Sequence, residues 1–210
     1  MSIYYGRSIY SLSRSLGISL RGDKKEFSRG KKRTTPPGQH GLKKTRRRKI
    51  SLYASQNKEK QKLRFLYGLK EKQLKNLFLS LKQKKGDVRQ HLLTRLESRM
   101  DNLVFRSGLI NTRRFARQWV SHGHFLIDGK KVNKPGYSVK PDSVITLKKK
   151  MLQNEIIKQQ LQQNIKPSAY LKLDINEKEV NITYLRYPDP EESEKGIDIA
   201  AVVEWYNKKI

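Results

Sequence analysis

The stretch from Arg113 to Val132 constrains the fold most, because its glycines fix where a helix stops and where a hairpin turns. Gly123 follows a run with helical periodicity and is typical of the left-handed residue beyond a helix C-terminus. Asp128 and Gly129 stand between two short apolar runs, and this pair favours a type I′ turn between antiparallel strands. We therefore predict that a helix runs directly into a β-hairpin here.

The helix before this hairpin has one apolar face. Phe115 and Trp119 are four residues apart, so both lie on one side of a helix. Thr112 is in the position of an N-cap, and Gly108 predicts a tight turn before it. Residues 99–147 therefore predict two short helices, a hairpin and a further strand that follows a Pro-Asp turn.

Further helices are predicted upstream of this region. The segment "ASQNKEKQKLRFLYG" is typical of a helix closed by Gly68. The next segment, "LKEKQLKNLFLSLKQKKG", carries an apolar stripe and ends at Gly86, and Asp87 is in a position to cap another helix. We expect these stripes to form a helical core. The stripe consists of Leu74, Leu77, Phe78 and Leu81.

The C-terminal third predicts more strands. The segment "KKKMLQNEIIKQQLQQNIKPS" predicts one helix that ends by Pro167. The segment "AYLKLDINEKEVNITYLRYP" predicts a hairpin that turns over residues 176–178. The type of the final element, "DIAAVVEWYNKKI", stays open. Helices combined with a small, mostly antiparallel sheet predict the α+β class.

The charge of the chain points to a polyanionic partner. The 210 residues include 47 Lys and Arg against 19 Asp and Glu, a formal net charge of +28. A compact body this basic repels itself, so nucleic acid is the first candidate partner and an anionic membrane surface the second. No apolar run is long enough to span a bilayer, and the first residues do not have the pattern of a secretory signal.

Residues 1–50 are the most basic part of the chain, with fifteen Lys and Arg against two Asp and Glu. Gly, Pro, Ser and Thr interrupt the basic runs, which predicts an irregular N-terminal extension. Two interpretations are open: a solvated tail without fixed structure, or an arm that folds into grooves of RNA. The turn motif "PPGQHG" directly before the basic run at residues 43–49 favours the docked arm.

Two of the four histidines, His122 and His124, flank Gly123 and raise the choice between a metal site and a turn. A zinc site needs three or four ligands, but the chain has no Cys and this motif offers two. An active site needs a nucleophile or a nucleotide motif nearby, and the sequence has no P-loop and no dinucleotide fingerprint. We expect a corner between helix and hairpin, without metal, cofactor or enzyme activity.

The motifs together resemble a known family. The stretch "ESRMDNLVFRSGLINTRRFARQWVSHGHFLIDGKKVNKPGYSVKPDSV" is similar to the S-four RNA-binding domain, a module of two helices and a small sheet. With "PPGQHG", "KEKQKLRFLYGLKEKQ" and the closing "VVEWY", it resembles the S-four family of small-subunit ribosomal proteins in its bacterial form, over nearly the whole chain. Many members hold zinc with four Cys near the start, so this chain resembles the zinc-free form.

The resemblance also implies a domain organisation. The basic extension would occupy residues 1–50. A helical domain would comprise residues 51–97 and be completed by residues 190–210. The S-four module and the strands after it would be inserted between these parts, at residues 98–189.

The function implied by the resemblance is that of a structural constituent of the small ribosomal subunit. It would bind small-subunit (16S-type) rRNA early, nucleate assembly of the 5′ domain, and contribute to translational accuracy and to the channel where mRNA enters. Its partners would be rRNA, small-subunit proteins three and five, and mRNA, without a membrane or a second copy of the chain. The alternative is another S-four-domain RNA-binding or RNA-modifying protein. We expect the bacterial cytoplasm rather than an organelle ribosome, and the lack of Cys fits such a reducing compartment.

The predicted RNA-binding residues lie in the basic extension, on the first long helix and around the helix–hairpin corner. By resemblance, the basic cluster after the "PPGQHG" turn lies toward the mRNA channel. The full set is Arg7, Arg14, Lys31, Lys32, Arg33, Gln39, His40, Lys43, Lys44, Arg46, Arg47, Arg48, Lys49, Lys62, Arg64, Arg99, Arg113, Arg114, Arg117, Gln118, His122, Lys130, Lys131 and Lys134.

Overall fold

The chain folds into two compact units. The sheet unit comprises Gln90–Glu194, and the helical unit comprises Ile3–Arg89 together with Lys195–Ile210. The assignment of three functional domains to the chain stays a prediction. The structure is a computed structural model, and it describes residues 6, 8–21, 35–41, 50–162, 165–176, 179–192 and 196–209.

Nine α-helices, five strands and one short 3-10 helix (Pro190–Glu192) form in the described ranges. No helix in these ranges is long and apolar enough to cross a membrane. The elements are α1 (Ile9–Leu16), α2 (Leu52–Leu66), α3 (Glu71–Lys82), α4 (Val88–Glu97), α5 (Met100–Arg106), α6 (Arg113–Ser121), β1 (Phe125–Ile127), β2 (Lys130–Lys131), β3 (Val144–Leu147), α7 (Lys149–Leu152), α8 (Glu155–Leu161), β4 (Leu171–Ile175), β5 (Val180–Tyr184) and α9 (Ile199–Lys209).

The core of the helical unit lies between α2, α3 and α9. Helix α2 starts at Ser51, whose hydroxyl accepts a hydrogen bond from the Ala54 N–H at 3.3 Å, and it stops before Gly68, which has φ +61°. Phe78 of the predicted stripe stacks on Tyr206 of α9, with ring centroids 4.8 Å apart. The final segment is therefore a helix, because its apolar face completes this core.

Helix α1 lies within the extension that the sequence predicts to be irregular. Its Leu12 and Leu16 are buried, and it packs on α2. Gly17, with φ +74°, donates its N–H to the Ser13 carbonyl and ends the helix. Eight residues make a marginal helix alone, so this one depends on burial against its neighbour rather than on local propensity.

The five strands form one antiparallel sheet in the order β2-β1-β3-β5-β4. In the register, Ile145 of β3 pairs with Ile127 of β1 on one side and with Ile182 of β5 on the other. These residues face the core, where they meet the apolar sides of α5 and α6. Helices with a small antiparallel sheet confirm the predicted α+β class.

The predicted hairpin turn is present between β1 and β2. Asp128 has φ +48° and Gly129 has φ +77°, and two successive positive φ values are typical of a type I′ turn. The Asp128 carboxylate also accepts a hydrogen bond from the Val144 N–H at 2.9 Å. This bond holds a non-glycine residue in the left-handed region and ties the turn to β3.

The single helix predicted to end by Pro167 is wrong, because the segment forms two short helices. Helix α7 ends at Leu152, and α8 begins after Asn154, whose side-chain oxygen accepts a hydrogen bond from the Ile156 N–H at 3.0 Å. An asparagine side chain competes for backbone groups and so favours a helix start over a helix interior.

Candidate nucleic-acid interface

Helix α6 presents two different faces. Its N-terminus is capped by Thr112, whose hydroxyl accepts a hydrogen bond from the Phe115 N–H at 3.3 Å. One face is buried in the core of the sheet unit. Arg114, Gln118 and His122 are spaced four residues apart on the other side and are exposed. We call these three residues the exposed row.

The β-hairpin lies against the C-terminal end of α6. The Lys131 side chain crosses Gly123, so a Cβ at this glycine would stand 2.6 Å from Lys131 Cε and 3.6 Å from its Nζ. The ammonium therefore lies near the carbonyl end of the helix, where the macrodipole favours a cation. Lys130 and Lys134 are also exposed. The predicted corner thus places hairpin lysines close to His122.

A buried carboxylate holds two of the predicted RNA-binding arginines. Asp101 accepts two hydrogen bonds from Arg99, at 3.0 Å from Nε and 2.7 Å from Nη2, and the Nε of Arg117 lies 3.5 Å from Asp101 Oδ2. All three side chains are at most 17% exposed. Bidentate geometry and low exposure make these pairs part of the fold. Arg117 fixes α6 to α5, whereas Arg99 pairs with Asp101 locally at the start of α5.

Arg113 is held by a second network, centred on Glu97. Its Nε donates to Asn102 Oδ1 at 3.0 Å, and its guanidinium lies 4.3 Å from the centroid of the Phe105 ring. Asn102 in turn donates to the Glu97 carboxylate at 2.6 Å. The fully buried carboxylate of Glu97 also pairs with Arg106 at 3.0 Å. Arg113 therefore anchors the first turn of α6 rather than extending into solvent.

Tyr170 completes the network around Glu97. Its hydroxyl donates to the Glu97 carboxylate at 3.1 Å, and burial, followed by the negative charge of Glu97, raises the pKa of Tyr170 far above its usual value. Tyr184 lies beside it, with its hydroxyl 2.8 Å from the Ser98 hydroxyl. Burial likewise raises the pKa of Tyr184. Both tyrosines therefore stay protonated and able to donate hydrogen bonds.

The two histidines sit at the corner as expected. Their ring centroids are 5.7 Å apart, and the His124 ring contacts Trp119 edge-on at 5.4 Å. Burial lowers the pKa of His124, and the positive charges of His122 and Lys148 lower it further. No group of three or more His, Cys, Asp or Glu that could hold a metal occurs in the described part of the chain. The His124 ring packs against Trp119 within the turn, and the His122 ring stays exposed beside it.

Predicted residues of the extension and of α2 occupy different surroundings. Gln39 and His40 are exposed on a turn that the Gly41 N–H closes by donating to the Gly38 carbonyl at 3.1 Å. Lys62 pairs with Glu59 at 2.7 Å. Arg14 and Arg64 are half-buried. The Nε of Arg14 donates a hydrogen bond to the Tyr10 carbonyl at 3.4 Å, and the Arg64 guanidinium lies 3.5 Å from the Glu71 carboxylate.

The remaining predicted residues lie outside the described residues. They include the whole basic cluster after the "PPGQHG" turn, so their role stays a prediction. They are Arg7, Lys31, Lys32, Arg33, Lys43, Lys44, Arg46, Arg47, Arg48 and Lys49.

Comparison with known proteins decides the family. The S4 domain model matches residues 98–145, and the model of the ribosomal protein S4/S9 N-terminal domain matches residues 5–97. Small ribosomal subunit protein uS4 of Mesoplasma florum is 43% identical over 211 residues, covering all of both chains. The uS4 proteins of Ureaplasma urealyticum and Limosilactobacillus fermentum are 47% and 44% identical, covering at least 99% of each chain. This chain belongs to the uS4 family.

Membership of the uS4 family establishes the general role. The chain is a structural constituent of the small ribosomal subunit with an RNA-binding S4 domain, its partner is the ribosome with its rRNA, and it is not an enzyme. The bacterial relatives indicate a ribosomal location in the cytoplasm. All residues of the exposed row and of the hairpin lie within the matched S4 domain.

Sequence reasoning missed three residues that shape this uS4 interface. Asp101 and Glu97 hold the arginines in place. The sequence feature that could have indicated this role is the position of both acids close to arginines in a basic stretch. Lys148 lies beside the corner, because its N–H donates to the His124 carbonyl at 3.0 Å. Its signal was a run of three lysines directly after a predicted strand.

Proposed function

We propose that this uS4-family chain binds small-subunit rRNA directly and early, and nucleates folding of the 5′ domain around a multi-helix junction. We also propose that it contributes to the channel where mRNA enters the subunit and to translational accuracy. The observation that carries the first part is the exposed row of α6, which the contacts of Arg117 with Asp101 and of Arg113 with Asn102 hold beside the lysines of the hairpin.

The proposed mechanism is electrostatic and geometric. Arg114 and the hairpin lysines neutralise phosphates and release counterions, which supplies affinity for any RNA. Selectivity for a junction comes from the fixed spacing between the row and the hairpin, because folded RNA is recognised largely by shape and by 2′-hydroxyl and phosphate contacts. Asp101 and Glu97 support both effects, since they prevent α6 from shifting when a phosphate pulls on its cations.

The basic extension provides a second set of contacts in this proposal. The turn at residues 35–41 exposes Gln39 and His40, and the basic cluster follows it directly in the sequence. We assign this cluster, residues 43–49, to the mRNA channel. A compact turn before a dense run of cations suits an arm that leaves the body of the protein and follows a nucleic-acid strand.

An apolar patch on the helical unit suits a protein partner. Ile50, Leu52 and Tyr53 are 59–68% exposed at the start of α2, and the Tyr53 ring lies 6.3 Å from that of Trp205 in α9. A cluster of exposed apolar side chains is typical of a protein–protein contact. We propose a neighbouring small-subunit protein as its occupant, with proteins three and five as the candidates.

The three-domain organisation fits these roles. We assign residues 1–50 to the RNA-docking extension, residues 51–97 with residues 190–210 to the helical domain, and residues 98–189 to the S4 module with its following strands. In this assignment, the S4 module recognises the junction and the helical domain offers the protein contact.

Binding to a 5′-domain rRNA fragment over a series of salt concentrations tests the proposed function. Transfer RNA and a plain RNA duplex serve as competitors. We expect the fragment to be preferred at every salt concentration, because shape recognition adds free energy that counterion release does not supply. Equal binding of all three RNAs, lost together as salt rises, would leave charge alone as the cause and contradict the proposal.

A further inference from the structure

Tyr137 is an exposed aromatic residue on a rigid loop. The loop between β2 and β3 is fixed to the N-terminus of α5, where the Met100 N–H donates to the Tyr137 carbonyl at 2.9 Å and the Asp101 N–H donates to the Pro135 carbonyl at 3.1 Å. The Tyr137 N–H closes a turn onto the Lys134 carbonyl at 2.9 Å. The backbone of this residue is therefore held on both sides.

The ring itself is available to a partner. The Tyr137 side chain is 46% exposed. None of the described residues makes a hydrogen bond or a ring contact with that side chain. Single exposed aromatic residues are common on protein surfaces, but the fixed backbone at Tyr137 lowers the entropy cost of ordering this ring against a partner.

An exposed lysine and a buried, paired arginine lie next to this loop. A Cβ at Gly136 would lie 3.4 Å from Arg99 Nη1, so the Arg99 guanidinium lies beneath the residue next to the tyrosine. Lys134 is exposed three residues before the ring. Arg117 reaches the same carboxylate that holds Arg99. Gly136 is exposed and has no side chain, which leaves space for a flat group to approach the ring.

We propose that Tyr137 is a stacking platform for an unpaired nucleobase of the rRNA. This inference rests on the proposed recognition of a folded RNA junction, where bases in loops and bulges are splayed out. A nucleobase of any sequence can stack on an aromatic face, and the exposed Lys134 can bind a neighbouring phosphate. The S4 module would then bind the RNA by base stacking on Tyr137 as well as by electrostatic contacts.

The molecule offers a matched control in Tyr187. Its side chain is exposed to a similar extent, 51%, but its surroundings are acidic. The neighbouring Arg186 is paired with Asp189 at 3.0 Å and with Glu192 at 2.6 Å. Carboxylates repel phosphates, so the ring of Tyr187 is a poor site for RNA although a similar fraction of its side chain is exposed. Its ring also contacts that of Tyr184 edge-on, with centroids 6.2 Å apart.

Affinity for the 5′-domain fragment tests the proposal with four variants of the full chain. We expect Tyr137→Ala and Tyr137→Leu to weaken binding about tenfold, Tyr137→Phe to stay within about twofold, and Tyr187→Ala to bind like the wild type. The slope of affinity against salt should not change in any of them, because tyrosine releases no counterion. Circular dichroism confirms that each variant is folded.

Three results would overturn the stacking role. Wild-type affinity of Tyr137→Ala would exclude a contact, and a loss in Tyr137→Phe equal to that in Tyr137→Ala would assign the effect to the hydroxyl group. A shallower salt slope in Tyr137→Ala would mean that the loop had moved and displaced Lys134.

A single-stranded oligonucleotide separates this inference from the proposed function. If the wild type does not prefer the 5′-domain fragment, junction recognition fails as a proposal. Stacking is then judged on the oligonucleotide, where a tenfold loss in Tyr137→Ala supports it and an unchanged affinity overturns it.

Discussion

The sheet unit and the helical unit use acidic residues in different ways. In the sheet unit, Glu97 is fully buried and Asp101 nearly so, and together they hold arginines that anchor α6. In the helical unit, Glu71 is 41% exposed and pairs with the buried Lys60 at 2.7 Å, and Glu59 is 15% exposed and pairs with Lys62 at 2.7 Å. The comparison teaches that a basic residue in a basic protein is not automatically a phosphate contact.

The units also differ in what they leave exposed. The sheet unit exposes polar and cationic side chains, which are those of the exposed row and the lysines of the hairpin. The helical unit exposes an apolar patch at the start of α2. Buried ion pairs hold three arginines within the sheet unit, Arg99, Arg106 and Arg117, and so limit which cations the first surface presents. The second surface depends on the packing of α2 against α9.

Removal of Glu97 should have the largest effect on stability. The Glu97→Ala substitution leaves Arg106 and Asn102 without their buried acceptor, so we expect the free energy of unfolding of the sheet unit to fall by about 3–5 kcal/mol. Urea unfolding followed by Trp119 emission, in a Trp205→Phe background, measures this unit separately.

The control for Glu97 is Glu179→Ala, which removes an exposed partner of Lys149 at 3.3 Å. We expect a loss below about 1 kcal/mol, because exposed ion pairs are screened by water. Similar losses in the two variants would contradict the idea that buried acids frame the interface.

Charge reversal on the exposed row should have the next largest effect, on RNA affinity. Arg114→Glu replaces an exposed cation of α6 with an anion, and we expect about tenfold weaker binding to the 5′-domain fragment and a shallower salt slope. Filter binding or fluorescence anisotropy at several salt concentrations measures both quantities.

Lys172→Glu is the matched control for Arg114. Lys172 is exposed on β4, at the opposite edge of the sheet from the hairpin strand β2. We expect a loss of about twofold from the change in net charge alone. If Lys172→Glu weakened binding as much as Arg114→Glu, total charge rather than the exposed row would govern affinity.

The loss of the Glu71 carboxylate should destabilise the helical unit less than the loss of Glu97 destabilises the sheet unit. Glu71→Gln keeps a hydrogen-bond acceptor near Lys60 and near the Tyr206 hydroxyl, which lies 3.3 Å away, so we expect a loss of about 1 kcal/mol. Urea unfolding followed by Trp205 emission, in a Trp119→Phe background, gives the value. A loss as large as that of Glu97→Ala would erase the difference between the two units.

The smallest effect concerns pH. Because the pKa of His124 is lowered in the folded state, its contribution to stability is present above the ordinary histidine pKa and is lost as the pH falls through the lowered value. The sheet unit should therefore become slightly less stable as the pH drops from about 7.5 to about 5.5.

Two variants locate this pH effect. His124→Gln should flatten the pH dependence of the urea midpoint, measured by Trp119 emission, whereas His40→Gln in the exposed turn of the helical unit should leave it unchanged. A steep pH dependence that survives in His124→Gln would assign the effect to other groups.

Local sequence signals predicted the corner of the interface well. The Thr112 cap, the Gly123 stop and the Asp128-Gly129 turn all occur as predicted, because each depends on the φ preference or the side-chain hydrogen bond of one or two residues. The resemblance to the S-four family was confirmed by the family models and the uS4 relatives.

Other features were not accessible in the same way. The break between α7 and α8 carried a signal in Asn154, but the periodicity of the flanking segments outweighed it. Helix α1 and the helical type of α9 depend on burial against residues far away in the chain. The pairing of Arg117 with Asp101 was also not predictable, since side-chain partners on two different helices follow from packing.

The sequence by itself determined that this protein is a highly basic α+β chain of the uS4 family, with a helix that turns into a hairpin at Gly123. Net charge follows from composition, and turn chemistry and motifs follow from short segments. All three can therefore be read without knowledge of the fold. Only the tertiary structure decided which basic residues face water and which face a carboxylate. The reason is burial: a cation removed from water needs a partner within the protein, and that partner is a neighbour in space rather than in sequence.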